Sequence, residues 1–227
     1  MEYGYGKWWL VGVSIILTLY FIKSVFKPRT KTDWTTYRTF GAFIVALFTE
    51  MYGFPLTIYL LMSVFGVKAN LGFSHDSGHL IGSLLNFQGN PHLSIFHLVS
   101  YALIILGFSM IALAWKVLYK ARKSNSLAVS GFYKYIRHPQ YVGFSLIIIG
   151  FLLQWPTIIT VFMAPFLLWR YYRLSKLEEK EMEVRFKDEY LDYKKLTPAF
   201  IPKILQFASV NNILGDQNHL RRVANSS

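Results

Sequence analysis

Apolar side chains run along this chain in five blocks, roughly 7–26, 40–66, 94–119, 140–154 and 156–174, divided by polar or charged stretches. A helix that crosses a bilayer needs about 20 apolar residues, and the first three blocks meet that length. The last two are shorter and share the turn Gln154-Trp155-Pro156, which predicts one tight helical hairpin running out and back. The expected architecture is an all-α integral membrane protein with about five transmembrane helices. After Arg173 the pattern changes. Leu174, Leu177, Met182, Phe186, Tyr190 and Tyr193 recur near helical spacing among charges, which predicts a cytoplasmic amphipathic C-terminal helix against the membrane face. Thr197-Pro198-Ala199-Phe200-Ile201-Pro202 ends it. Three stretches are expected: 1–93 with the N-terminal helices and an outer loop on the acceptor side, a core at 94–203, and a loose tail at 204–227.

Composition agrees with this pattern. The 227 residues are 53% hydrophobic and 16% charged, too apolar for an ordinary soluble domain. There is no cysteine, so neither disulfides nor thiolates carry structure or chemistry. The start of the chain lacks a basic n-region and a small-residue cleavage site, so the first block reads as a retained helix. The net charge of +12 is distributed unevenly: 22 of the 24 Lys and Arg fall on one side of the expected topology, and only Lys7 and Lys68 on the other. The positive-inside rule then places the N-terminus outside and the C-terminus in the cytoplasm, and a bacterial inner membrane is the expected location. The charge suits anionic lipid heads. No recognition motif accompanies it, so nucleic acid is not expected as a partner.

The polar interruptions carry the candidate chemistry. Arg137-His138-Pro139-Gln140-Tyr141 opens the fourth block, and Glu178-Glu179 follows the fifth. A hairpin brings both to one end. Titratable groups are costly near lipid and persist mainly where paired or functional. Pro139 suits a first helical turn, and Gly131 permits a tight turn before it. Gly143 leaves room for a ligand or for a close helix. The free N–H groups at that helix start favour an anion. Such a pocket fits a polar, zwitterionic ligand with a ring to stack on Tyr133 or Tyr141. The residues alone leave open a snorkelling Arg137 on a lipid phosphate and a solvated Glu178–Glu179 face.

The motif Gly131-Phe132-Tyr133-x-x-x-Arg137-His138-Pro139-x-Tyr141-x-Gly143, then Glu178-Glu179, Phe186-x-x-x-Tyr190-x-x-Tyr193 and Pro198-x-Phe200-Ile201-Pro202, resembles the isoprenylcysteine carboxyl methyltransferase family, whose relatives include membrane phospholipid methyltransferases. The resemblance covers roughly 94–203. It implies a membrane methyltransferase that uses S-adenosylmethionine and takes a lipophilic acceptor from the bilayer. Carried over by position, it implies a cofactor site of Asn125, Leu127, Ala128, Tyr133, His138, Pro139, Gln140, Tyr141 and Glu178. Glu178, His138 and Arg137 become the candidate catalytic residues; Arg173, Glu50 and Glu179 are candidates for acceptor binding. Two departures stand out. The arginine that often precedes the first glutamate by four residues is Leu174 here, with Arg173 beside it. A Phe-Gly pair before the Tyr-x-x-Tyr segment is Phe186-Lys187 here.

Two features lie outside the resemblance. Glu50 sits inside the second apolar block, where a Gly53/Pro55 break would let it line a cavity. His75, Asp76, His79, His92 and His97 form a histidine-rich loop on the expected outer side. Its spacing would suit Zn or Cu, but a folded loop with surface histidines is the expectation, and no metal ligand is assigned. A non-catalytic membrane receptor or scaffold, and a metal-handling protein using this loop, are the competing functions.

Overall fold

A computed structural model of the chain describes residues 5–64, 79–81 and 91–202. The expected loose tail, and His75 and Asp76, lie outside the described residues. The described elements are helical: α1 (Trp8–Phe26), α2 (Lys31–Phe48), a π-helical turn (Thr49–Gly53), α3 (Leu56–Ser63), α4 (Ile95–Lys123), α5 (Pro139–Gln154) and α6 (Ile158–Leu196), with short 3₁₀ turns at Pro91–Leu93 and Gly131–Lys134. By length and composition, α1 and α4 can each cross a membrane. The pair α2–α3 is a third candidate, bent by 66° at the π turn. α5 is a shorter apolar helix of 16 residues. Large apolar side chains on the outer surfaces of α1, α4 and α6, among them Trp9, Ile16, Ile105 and Phe162, are exposed, as lipid-facing helices require. The protein is a helical membrane protein.

The chain divides into two compact units, Met1–Ala112 with Gln140–Glu178, and Leu113–Pro139 with Glu179–Ser227. In the first unit α2 begins with a capping box: the Thr30 hydroxyl accepts from Asp33 N at 3.1 Å, and Asp33 Oδ2 accepts from Thr30 N at 3.0 Å. The π turn that ends α2 would strand carbonyls in an apolar setting. The N-terminal strand of chain satisfies them, because Gly6 N donates to Gly53 O at 2.8 Å and Lys7 N to Tyr52 O at 2.9 Å. The core is aromatic and branched, with Phe26, Phe40, Phe43, Phe144, Ile147 and Tyr171 among the fully buried side chains. The expected hairpin is present. α5 ends at Gln154, and Thr157 and Thr160 cap α6 reciprocally, each hydroxyl accepting from the other's N–H at 3.1 Å.

α4 meets α5 through glycines. A Cβ built on Gly143 would lie 2.8 Å from Gly107 O, and one on Gly107 would lie 2.6 Å from Gly143 O. Gly143 therefore makes room for a helix, which settles the alternative that the sequence left open. In lipid, helix association depends on this kind of backbone approach.

In the second unit a small core of Ala114, Ala121, Ala128 and Tyr133 packs with Val117 and Leu118. Gly131 takes a positive φ of 60°, as its turn requires. Here the structure differs from the sequence reading. α6 does not stop near Arg173 and restart as a separate surface helix. Its stretch from Leu174 to Phe186 holds no Gly or Pro and is rich in Leu, Glu, Lys and Met, so the helix simply continues. The break comes at Lys187, with φ 46° and ψ −122°.

Candidate functional site

The four side chains 137, 138, 140 and 141 each engage a glutamate. In the first unit, Glu178 is held from the opening turn of α5. The Tyr141 hydroxyl donates to Oε1 at 2.8 Å and Gln140 Nε2 donates to Oε2 at 3.3 Å. Tyr141 stacks on Tyr171 with ring centroids 5.6 Å apart, which fixes the phenol against α6. Gln140 and Tyr141 are buried and Glu178 is partly exposed, so the carboxylate keeps an open side. Pro139 opens α5, where its missing N–H leaves nothing unsatisfied.

In the second unit, Glu179 is a buried hub at 2% exposure. Arg137 donates to its Oε1 from Nη2 at 2.6 Å and from Nε at 3.1 Å. His138 Nε2 donates to the same oxygen at 3.2 Å. A carboxylate only accepts, so this bond puts the His138 proton on Nε2, and the lone pair of the neutral ring is on Nδ1. Lys194 Nζ lies 3.7 Å from Oε2. The other guanidinium nitrogen of Arg137, Nη1, donates to Lys194 O at 3.2 Å and also to Thr197 O. Backbone pairing adds to this, with Arg137 N on Pro198 O at 2.9 Å and His138 N on Ala199 O at 3.1 Å. The Phe200 ring lies 5.6 Å from His138. The Arg-His pair is thus clamped to the Thr-Pro-Ala-Phe segment that ends α6. The Arg137 guanidinium is thus shared between Glu179 and the backbone carbonyls of the tail.

The tyrosines of the tail support the clamp. The Tyr193 hydroxyl donates to Tyr133 O at 2.7 Å. Burial pushes the Tyr190 phenol well above its ordinary range, and the Glu179 charge adds to the shift. Burial does the same to Tyr193. A hydrogen bond to Glu183 raises the Lys194 ammonium, and Glu179 adds to that. Lys194, Thr197 and the phenols were not singled out as partners of Arg137 by the sequence.

The remaining candidates fall elsewhere. Asn125 takes a left-handed φ of 51° and its side-chain oxygen accepts from Arg185; Ala128 and Tyr133 are buried and Leu127 is partly buried. Leu174 is 5% exposed and faces inward, whereas Arg173 is exposed and lies 5.5 Å over the Trp169 ring. Moving the arginine by one residue turned it to another face of the helix. Glu50 is 4% exposed. Its Oε2 accepts from Thr57 N at 2.8 Å, while Oε1 has no hydrogen-bond partner. It lines a small cavity with Tyr5, Thr57, Leu80, Trp155 and Thr157. Thr57 Oγ1 in turn accepts from Ile158 N at 2.8 Å, which ties α3 to the hairpin turn. The structure does not bring Glu50 to Glu178. Trp155 closes α5, fourteen residues after Tyr141, and the helix rise puts the two roughly 20 Å apart.

The donor set fits S-adenosylmethionine in kind. Glu178 offers carboxylate oxygens to hydroxyl or ammonium groups, and the first turn of α5 offers N–H groups to a carboxylate. Residues 93–184 match the isoprenylcysteine carboxyl methyltransferase (ICMT) family. Protein-S-isoprenylcysteine O-methyltransferase of Schizosaccharomyces pombe is 31% identical over 86 residues, which is 37% of this chain and 36% of that protein. The enzyme of the same name from Mus musculus is 36% identical over 83 residues, 36% of this chain and 29% of that protein. The cobalt-zinc-cadmium resistance protein CzcN of Cupriavidus metallidurans is 33% identical over 113 residues, 47% of this chain and 52% of that protein. The chain thus covers about a third of the length of the two methyltransferases and half of the third relative. The resemblance read from the motifs is borne out over residues 93–184, the stretch that matches the isoprenylcysteine carboxyl methyltransferase family.

Proposed function

We propose that this protein is a membrane methyltransferase that transfers a methyl group from S-adenosylmethionine to a lipophilic acceptor at the cytoplasmic membrane face. The observation that carries the reading is the engagement of the matched motif. Gln140 and Tyr141 hold Glu178, and Arg137 and His138 hold Glu179, within the segment that matches the family. In this reading 94–203 is the methyltransferase core and 1–93 serves the acceptor. The cofactor-binding set is Asn125, Leu127, Ala128, Tyr133, His138, Pro139, Gln140, Tyr141 and Glu178.

S-adenosylmethionine, when bound, supplies an electrophilic methyl on a sulfonium. The chain's own work is alignment and charge placement. Glu178, oriented by the Tyr141 phenol, accepts polar groups of the ligand. Arg137 keeps the Arg-His segment fixed to the tail. A carboxylate acceptor needs no base, whereas an amine or thiol must lose a proton, and Glu178, Glu179 and His138 are the candidates to take it. The buried Leu174 and the outward Arg173 remove the arginine that would clamp a prenylcysteine carboxylate, which favours a different lipid-like acceptor. Glu50 is too far from Tyr141 to touch the reacting group. It suits a polar group at the far end of a long acceptor.

Calorimetry on detergent-solubilised protein tests the cofactor site. Loss of one hydrogen bond to a charged ligand costs about 1.5–3 kcal/mol, so Glu178→Ala and His138→Ala should each weaken S-adenosylmethionine binding by about tenfold or more. Normal binding by both folded variants overturns the assignment. Labelled cofactor offered in parallel with a farnesylcysteine analogue, a phosphatidylethanolamine and an alkyl thiol tests the acceptor. Turnover of the farnesylcysteine analogue alone refutes the acceptor proposal.

A further inference from the structure

His79, His92 and His97 come from three separate stretches of chain: the short segment 79–81, the 3₁₀ turn Pro91–Leu93, and the first turn of α4. The fold gathers them. One ring nitrogen from each lies within 4.8 Å of the other two. The ring centroids are 4.5 Å apart for His79 and His97, 4.8 Å for His79 and His92, and 5.2 Å for His92 and His97. His79 and His97 are buried and His92 is exposed, so the expectation of surface histidines fails for two of the three.

The setting of His79 orders its ring. Nδ1 lies 3.2 Å from Gln154 O at the end of α5. A carbonyl oxygen only accepts, so Nδ1 carries the proton and donates. The lone pair of the neutral ring is then on Nε2. A backbone carbonyl on one histidine nitrogen is the support that metal-ligating histidines usually have, because it fixes tautomer and orientation together. Trp155 packs on His79 at 4.7 Å and Tyr101 on His97 at 5.5 Å, which restricts both rings and dries one side of the cluster. Three imidazolium ions at these separations would repel one another, whereas three neutral imidazoles form a donor set. A carbonyl-oriented ring beside two others is more order than packing alone requires.

We propose that His79, His92 and His97 bind a divalent transition-metal ion of the zinc type. Nitrogen ligands at about 2.0–2.1 Å on a tetrahedral ion stand roughly 3.3 Å apart. The observed spread needs a contraction of about 1.5 Å at most, and the exposed His92 is the ring able to move. Three imidazoles favour Zn²⁺, Co²⁺, Ni²⁺ or Cu²⁺ over the hard cations Mg²⁺ and Ca²⁺. Three protein ligands leave a fourth position for water or an exchanging ligand, and His92 opens it to solvent. The site is remote from Tyr141 and Glu178, assigned to the cofactor: Gln154 is thirteen residues along α5 from Tyr141, or about 20 Å by helix rise.

The test uses the full chain, purified in detergent without a polyhistidine tag and stripped with a chelator. Co²⁺ titration should give saturable binding of one ion per chain, with the visible bands of a low-coordinate Co²⁺ centre, and Zn²⁺ should displace it. His92→Ala removes an exposed ligand and should leave the fold intact. It should weaken Co²⁺ binding by about tenfold or more and abolish the rise in Tm that Zn²⁺ gives the unaltered protein. Absence of saturable Co²⁺ binding, or binding unchanged in His92→Ala, overturns the proposal. Glu178→Ala should load metal normally; loss of loading in this variant equally counts against a separate site. None of these readouts involves methyl transfer, so their failure leaves the methyltransferase reading standing.

Discussion

Two glutamates are buried to nearly the same degree, Glu179 at 2% and Glu50 at 4% exposure, and their surroundings are opposite. Glu179 accepts from Arg137 and His138 and lies near Lys194. Glu50 accepts from one backbone N–H and has a second oxygen with no hydrogen-bond partner. The first carboxylate is part of a structural joint. The second is held in place by little except the bend around it. A buried ion loses several kcal/mol of hydration, which only dense pairing offsets. Burial alone therefore says little about what a carboxylate does; the count of its donors separates a joint from a binding group.

Breaking the joint should have the largest effect. Glu179→Ala strands Arg137 and should cost about 3–5 kcal/mol, read as a lower midpoint of unfolding in detergent. Combining Arg137→Met with Glu179→Leu should recover most of that loss, because no charge is then stranded. If the double variant is as unstable as the single, the joint contributes more than charge pairing.

Strain relief near the joint is next in size. Lys187 occupies φ 46° and ψ −122°, a region that costs a side chain about 1–3 kcal/mol. Lys187→Gly removes that strain at an entropic cost of about 0.5–1 kcal/mol, so it should stabilise the protein by roughly 1 kcal/mol. A destabilised variant would mean that the lysine side chain matters more than its backbone.

Glu50→Gln should be nearly silent in stability, within about 1 kcal/mol, since an amide oxygen still accepts from Thr57 N. If Glu50 recognises the acceptor, the apparent KM for acceptor should rise while affinity for S-adenosylmethionine stays unchanged. A loss as large as that of Glu179→Ala would erase the distinction between the two carboxylates.

The smallest effect is on pH. Tyr190, Tyr193 and Lys194 all have values raised in the folded protein. A raised value favours the protonated form on folding, so this stability is fully present below about pH 10 and declines as pH rises through the raised values. The unfolding midpoint should fall above pH 10 in the unaltered protein, and fall less steeply in a Tyr190→Phe variant. An equally steep decline in that variant would remove Tyr190 as a contributor.

The sequence made some of this legible and hid the rest, for reasons that individual residues show. The hairpin was readable because Pro156 interrupts an apolar run. The bend at Glu50 was readable from Gly53 and Pro55. The pairing of Lys194 with Glu183 at 2.6 Å was not. On an unbroken helix, residues eleven apart stand about 16 Å apart, and only the break at Lys187 brings them together. The departure from a Phe-Gly pair was visible at Phe186-Lys187, but not that the lysine keeps a glycine-like backbone. The gathering of the histidines is hidden for a similar reason. A spacing of four relates His75 to His79, while the gathered set His79, His92 and His97 comes from three segments that no local period relates.

The glycine contact between α4 and α5 has a consequence for tolerance. With Gly107 and Gly143 the two backbones already touch, so neither helix has slack in that direction. Tyr141 stands two residues before Gly143 on the same helix, and its hydroxyl must hold Glu178 at 2.8 Å. One added methyl at Gly143 would push α5 outward by an ångström or so, and if Glu178 holds the cofactor as proposed, a shift of that size can cost about a hundredfold in rate. The apolar interior thus acts as a datum surface: a contact with no polar side chain in it sets how accurately the polar end is placed.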